Sequence, residues 1–136
     1  VYNGIDTSVY PFQAQPSQPA YLAFVGRISP EKGPIEAITI ARAAGLPLKM
    51  AGKVDPVDRE YYRDRVEPLI DGEQIQYLGE VTHEEKAQLL GGATVTLFPI
   101  TWREPFGLVM IESMATGTPV IGMDLGSVPE VIAHGK

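Results

Sequence analysis

Five short apolar runs recur along this chain, each bounded by glycine, proline or a polar turn and each separated from the next by a helix-like stretch. The runs cover residues 21–25, 48–51, 75–78, 93–98 and 119–122. Each has the length of a buried strand, and most are rich in β-branched or aromatic residues. Between them, residues 34–44 place Ile35, Ile38, Ala41 and Ala44 on one face, with Pro34 suited to a first helical turn. Residues 57–70 do the same with Tyr61, Tyr62, Val66 and Leu69. Thr82-His83-Glu84-Glu85 is a capping box that opens a helix over 83–91, ending at Gly91-Gly92. A further helix is expected from about Phe106 to Thr116, stopped by Gly117. Ser127-Val128-Pro129-Glu130 reads as a second capping box at the head of a last helix. Parallel strands need crossover connections, so this alternation predicts an α/β fold, a parallel sheet with helices on both faces.

Residues 1–20 are rich in Asn, Gln, Pro and Ser and have no apolar period. They read as an extended lead-in or linker, leaving 21–136 as the folded domain. A length of 136 residues suits one domain. The net charge of −6 argues against general nucleic-acid binding, which needs a cationic surface. A local cationic pocket for one small anion is compatible with it. With no cysteine, disulfides and thiolate metal sites are excluded, and His83 and His134 lie too far apart for a ligand spacing. No apolar run approaches the roughly 20 residues of a membrane-spanning helix, and no signal peptide opens the chain. Both ends read as cut points within a longer protein.

In open parallel sheets, ligands bind beyond the carboxyl ends of the strands. The loops to read are therefore 26–33, 52–56, 79–82, 99–106 and 122–128. The first, Gly26-Arg27-Ile28-Ser29-Pro30-Glu31-Lys32-Gly33, brings two cations to a helix N-terminus. That suits a phosphate or diphosphate, although the loop alone reads equally as a solvated turn. No two glycines are spaced Gly-x-Gly and no P-loop motif is present, which removes the dinucleotide and nucleoside-triphosphate fingerprints. In the fourth loop, Glu104 precedes the expected helix and Glu112 lies inside it. Eight helical steps rise ~12 Å and turn only ~80°, so both carboxylates can face one elongated ligand. Gly107 would let that ligand approach the backbone, where N–H groups near 106–109 point outward. Carboxylates accept from sugar hydroxyls, so a ligand with hydroxyls at both ends and an anionic middle fits. By themselves the two glutamates read more readily as a first-turn dipole partner and a solvated helix residue. Leu78-Gly79 offers an apolar shoulder for a flat base, or is simply a tight turn. Asp124-Leu125-Gly126-Ser127 adds another helix N-terminus, or a plain cap.

Taken in order, Val1-Tyr2-Asn3-Gly4-Ile5-Asp6, Val25-Gly26-Arg27, Glu31-Lys32-Gly33, Tyr77-Leu78-Gly79, Phe98-Pro99, Glu104-Pro105-Phe106-Gly107-Leu108 through Glu112, Met114-Ala115, Gly117-Thr118-Pro119-Val120-Ile121 and Gly126-Ser127 with Glu130 resemble the group 1 glycosyltransferases. These are the retaining family 4 enzymes of GT-B fold. The resemblance runs over nearly the whole chain. It implies the C-terminal, Rossmann-like donor domain of such an enzyme, with the acceptor-binding N-terminal domain absent and 1–20 as the interdomain linker. It implies a nucleotide-diphosphate-sugar donor, UDP- or GDP-linked, and no metal or other cofactor. The lack of Asp-x-Asp agrees with that.

Carried over by position, Arg27 and Lys32 resemble the pair that holds the donor diphosphate, and Glu104 the glutamate facing the sugar. Gly26 and the backbone of Phe106, Gly107 and Leu108 would complete that pocket. Glu112 resembles the ribose-binding glutamate, and Leu78 the base-binding wall. Departures are Pro99-Ile100-Thr101-Trp102-Arg103 for a commoner Pro-Ser opening, Ser113 for alanine and Gly126-Ser127 for Gly-Gly. The location implied is cytoplasmic, with any contact at a membrane face left to the missing domain. Two other readings stand beside it. One is a non-catalytic nucleotide-sugar-binding module of the same fold. The other is a flavodoxin-like or receiver-like partner-binding domain, which would expect acidic residues where Gly26-Arg27 stand.

Overall fold

A computed structural model describes residues 3–136. Val1 and Tyr2, the start of the expected linker, lie outside the described residues. Five strands form one parallel sheet in the order β3-β2-β1-β4-β5. They are β1 (Leu22–Val25), β2 (Leu48–Ala51), β3 (Ile75–Tyr77), β4 (Val95–Phe98) and β5 (Val120–Gly122). The helices are α1 (Pro34–Ala44), α2 (Arg59–Tyr61), α3 (His83–Gly92), α4 (Leu108–Ala115) and α5 (Val128–Val131). The expected α/β alternation is therefore present, strand for strand.

Side-chain alternation along β1 shows why both faces are covered. Leu22 and Phe24 join Leu48, Met50 and Ile75 under α1, which contributes Ala37, Ile38 and Ala41. Ala23 points the other way and packs with Ala51, Leu89 and Ala93 beneath α3. A third cluster, Phe98, Ile100, Met110 and Val128, holds α4 and α5 against the end of β4. Burial of each large side chain contributes roughly 1.5–3 kcal/mol, and Ile38, Leu48, Met50 and Ile75 are buried almost completely.

Helix boundaries depart from the sequence expectation in three places. The stretch 57–70 is not one regular helix. Its short α-helical turn, Arg59–Tyr61, passes into a π turn (Tyr62–Val66) and then a 3-10 turn (Glu67–Leu69). Pro68 has no N–H for a regular helix and its ring crowds the preceding turn, which gives the physical reason. The expected face survives, since Val66 is buried and Tyr61, Tyr62 and Leu69 pack beside it.

The capping box at Thr82 forms in full: Glu85 N–H donates to Thr82 Oγ1 at 3.1 Å, and Thr82 N–H to Glu85 Oε2 at 2.9 Å. The second box, at Ser127, does not form. Ser127 has helical backbone angles and its hydroxyl turns away to donate to the Phe106 carbonyl at 2.5 Å, while Glu130 N–H takes the Ser127 carbonyl. The fourth helix starts at Leu108 rather than Phe106, because Gly107 caps it in the left-handed region at φ 80°. A Cβ at Gly107 would also fall 2.8 Å from both Phe98 Cζ and Met110 Cε.

The lead-in lies on the domain. After a 3-10 turn at Thr7–Val9, Gln13 N–H donates to the Thr116 carbonyl at 2.8 Å and Ser17 N–H to the Gly92 carbonyl at 2.9 Å. Residues 10–17 thus cross the carboxyl ends of α4 and α3.

Candidate functional site

β1 and β4 are neighbours in the sheet, so the loops leaving their carboxyl ends meet. Thr101 N–H donates to the Glu31 carbonyl at 2.9 Å, which joins the loop 26–33 to the loop 99–106. Gly33 makes the approach possible. It holds φ 77°, and a Cβ there would lie 1.9 Å from the Pro99 carbonyl oxygen.

Across this seam Lys32 Nζ lies 2.7 Å from Glu104 Oε2. The side chains are 17% and 11% exposed, so the pair is largely desolvated. Trp102 Nε1–H donates to the same oxygen at 2.9 Å, and the Lys32 ammonium sits 5.5 Å from the Trp102 ring centre. Ser127 N–H bonds the Glu104 carbonyl at 3.0 Å, so the loop before α5 is tied in as well. Arg27 stays half-exposed, its guanidinium 3.5 Å from Asp55 and 3.9 Å from Glu31. The N-termini of α1 and α4 open at the same edge, where first-turn N–H groups lack helical partners. Ser29, in the same loop, is buried with no hydrogen-bond partner for its hydroxyl among the described residues.

Glu112 belongs to a separate cluster. The expectation that eight helical steps relate Glu104 to Glu112 does not hold, since Glu104 precedes Gly107 and is outside the helix. Glu112 is buried and faces α3, where Lys86 Nζ lies 2.5 Å from its Oε2 and Tyr10 Oη–H donates to that oxygen. Tyr10 is itself buried. Burial first, and then the hydrogen bond and charge of Glu112, push its phenol above the ordinary range.

The remaining expected residues fall at the same sheet edge. Gly26 follows β1 and bonds Ala51, Leu78 follows β3 with an exposed side chain, and Leu108 is exposed at the start of α4. Phe106 is half-buried and its carbonyl is held by Ser127. Sequence reasoning had no role for Tyr10, Lys86 or Asp55. Tyr10 and Phe12, aromatic residues in a lead-in rich in Gln, Pro and Ser, were the available signal for the first. Among the described residues no group of three or more His, Asp or Glu could hold a metal ion. None of the helices described is long and apolar enough to cross a membrane.

A parallel sheet whose carboxyl edge gathers cations, carboxylates and helix N-termini defines a Rossmann-like ligand-binding domain. The family model for glycosyl transferases, group 1, matches residues 9–136, and the chain belongs to that family. Among curated relatives, the glycogen synthase of Mycobacterium tuberculosis is 31% identical over 143 residues, spanning 100% of this chain and 34% of the relative. Among solved structures, a glycosyltransferase involved in avilamycin A biosynthesis matches with TM-score 0.79 and 32% identity, over 93% of this chain and 39% of that one. HepE of Anabaena, solved in complex with UDP-glucose, shares the fold at TM-score 0.81 and 22% identity, over 99% of this chain and 41% of its own. The chain thus spans about a third to two fifths of the length of these relatives.

Proposed function

We propose that this chain binds the nucleotide-diphosphate-sugar donor for a retaining, metal-independent glycosyltransferase. The observation that carries the reading is the seam between the loops after β1 and β4, where Lys32, Glu104 and Trp102 converge beside two helix N-termini. Lys32 and Arg27 take the diphosphate and steady the charge that grows on it as the bond to the sugar breaks. Before the donor arrives both cations are held by carboxylates, which fixes their position without leaving a bare positive patch. Glu104 accepts from sugar hydroxyls through the oxygen its protein partners do not use. Glu112 accepts from the ribose, and the exposed Leu78 shoulder receives the base. UDP-glucose in HepE supports a donor of this chemistry.

A further domain supplies the acceptor site, and the enzyme works in the cytoplasm. Calorimetric titration of the chain with UDP, GDP and ADP, with and without EDTA, is the direct test. Binding that persists in EDTA is the expected result. Strict dependence on magnesium would overturn the metal-free account, and no binding of any of the three would overturn the donor site.

A further inference from the structure

Glu112 is a carboxylate on a helix that packs inward, and two separate segments converge on it. Its side chain is 8% exposed. α3 sends Lys86 to its Oε2 at 2.5 Å, and the lead-in sends Tyr10, whose hydroxyl donates to the same oxygen. The ring of Tyr10 is in turn fixed edge-on against His83, with centres 4.8 Å apart and planes at 64°, and the Lys86 ammonium lies 5.7 Å from its centre. Upstream, Asp6 stabilises the turn that delivers Tyr10, accepting from Ser8 N–H at 3.0 Å and from Ser8 Oγ–H at 2.6 Å. Downstream, the bonds from Gln13 to Thr116 and from Ser17 to Gly92 pin the strap to both helices.

The hydrogen bond and ion pair that Glu112 makes with described residues all fall on Oε2. Oε1 makes none with them. A buried carboxylate left to itself would be costly, and a purely structural pair would do best to satisfy both oxygens. Here one oxygen is held twice and the other has no bond to the described residues.

We propose that Tyr10 and Lys86 are positioning residues: by holding Oε2 they aim Oε1 of Glu112 at the ribose hydroxyls of the nucleotide. This rests on the reading of Glu112 as the ribose acceptor. It also gives the lead-in a part in the donor site, since Tyr10 reaches Glu112 across 102 positions of sequence.

The test compares whichever of UDP, GDP and ADP binds the chain most tightly with its 2′,3′-dideoxy form. Both are titrated into the chain and into Tyr10→Phe, Lys86→Met, Lys86→Arg and Glu112→Gln, with a thermal melt of each. The unsubstituted chain is expected to favour the ribonucleotide by at least about tenfold, the lower end of the scale of one charge-assisted hydrogen bond. Glu112→Gln, Tyr10→Phe and Lys86→Met should each bring the ratio toward one, by weakening the ribonucleotide more than the dideoxy form. Lys86→Arg should restore most of it. Should Lys86→Met not fold, Lys86→Gln takes its place. Loss of the ratio in Glu112→Gln with full retention in Tyr10→Phe and Lys86→Met overturns the positioning role alone. Equal weakening of both ligands by Tyr10→Phe and Lys86→Met also overturns it, since that is what a structural prop would do. A ratio unchanged in Glu112→Gln overturns the ribose reading itself.

Discussion

Lys32 and Glu104, separated by 72 residues in sequence, form a 2.7 Å ion pair that bridges the loops after β1 and β4. The pair is mostly removed from water, so losing one partner leaves an uncompensated charge. Lys32→Met or Glu104→Gln is expected to destabilise the fold by about 1–3 kcal/mol, short of the cost at a fully dry site. The double substitution should cost clearly less than the sum. Urea denaturation of the four proteins in a double-mutant cycle checks this, and strict additivity would show that the two groups are not coupled.

Glu112→Ala should weaken bare nucleotide by about 1.5–3 kcal/mol, roughly 10- to 150-fold, because ribose contacts exist without the sugar. Glu104→Ala should spare bare nucleotide and weaken the nucleotide-sugar. Calorimetry with UDP and UDP-glucose, or the pair that binds best, separates the two patterns. The same pattern from both substitutions would sink the assignment of different ends of the donor to them.

Gly33→Ala should be among the most damaging single substitutions in the chain. It asks alanine to hold φ 77° and puts a methyl 1.9 Å from the Pro99 carbonyl oxygen. A cost of roughly 3–5 kcal/mol is expected, with the two loops forced apart. Gly45→Ala is the control, since φ 67° is similar but nothing lies within 4 Å of its Cβ. There the cost should be only about 1–2 kcal/mol. Denaturation midpoints of the two variants give the answer, and equal losses would mean the contact with Pro99 does not matter.

Alkaline pH should unfold this domain early. Burial, followed by the charge of Glu36, pushes the Tyr61 phenol up to about 12, and burial with Glu112 raises Tyr10 further. A folded value above the unfolded one, near 10 for tyrosine, means the contribution is complete below pH 10. It is then lost as pH rises through the folded value. Melting temperature should hold level to about pH 9 and fall beyond pH 10. Tyr61→Phe and Tyr10→Phe should each flatten that fall, and a slope unaffected by both would show that other groups set the alkaline limit.

The chain alone is expected to transfer no sugar. Transfer needs donor and acceptor aligned with water excluded, and the Lys32–Glu104 seam opens at the sheet edge with Leu108 and Trp102 exposed beside it. An assay with labelled nucleotide-sugars and a panel of sugar and lipid acceptors measures this. Multiple turnover by residues 1–136 would show that the acceptor machinery lies within them.

Sequence by itself determined the local order of this protein. Five apolar runs between helical periods meant a parallel α/β sheet, and Thr82 with Glu85 meant a helix start, because strand burial and caps depend on neighbours a few residues away. It also named Lys32, Glu104 and Glu112 by their place in an ordered set of motifs. What only the tertiary structure decided is who meets whom. The order β3-β2-β1-β4-β5 sets β1 beside β4, and that adjacency alone brings Lys32 to Glu104. The packing of α3 on α4 under the lead-in sets Glu112 against Lys86 and Tyr10. Periodicity records which face of an element is buried, but not which distant element covers it, because that choice is made by the packing of the whole domain.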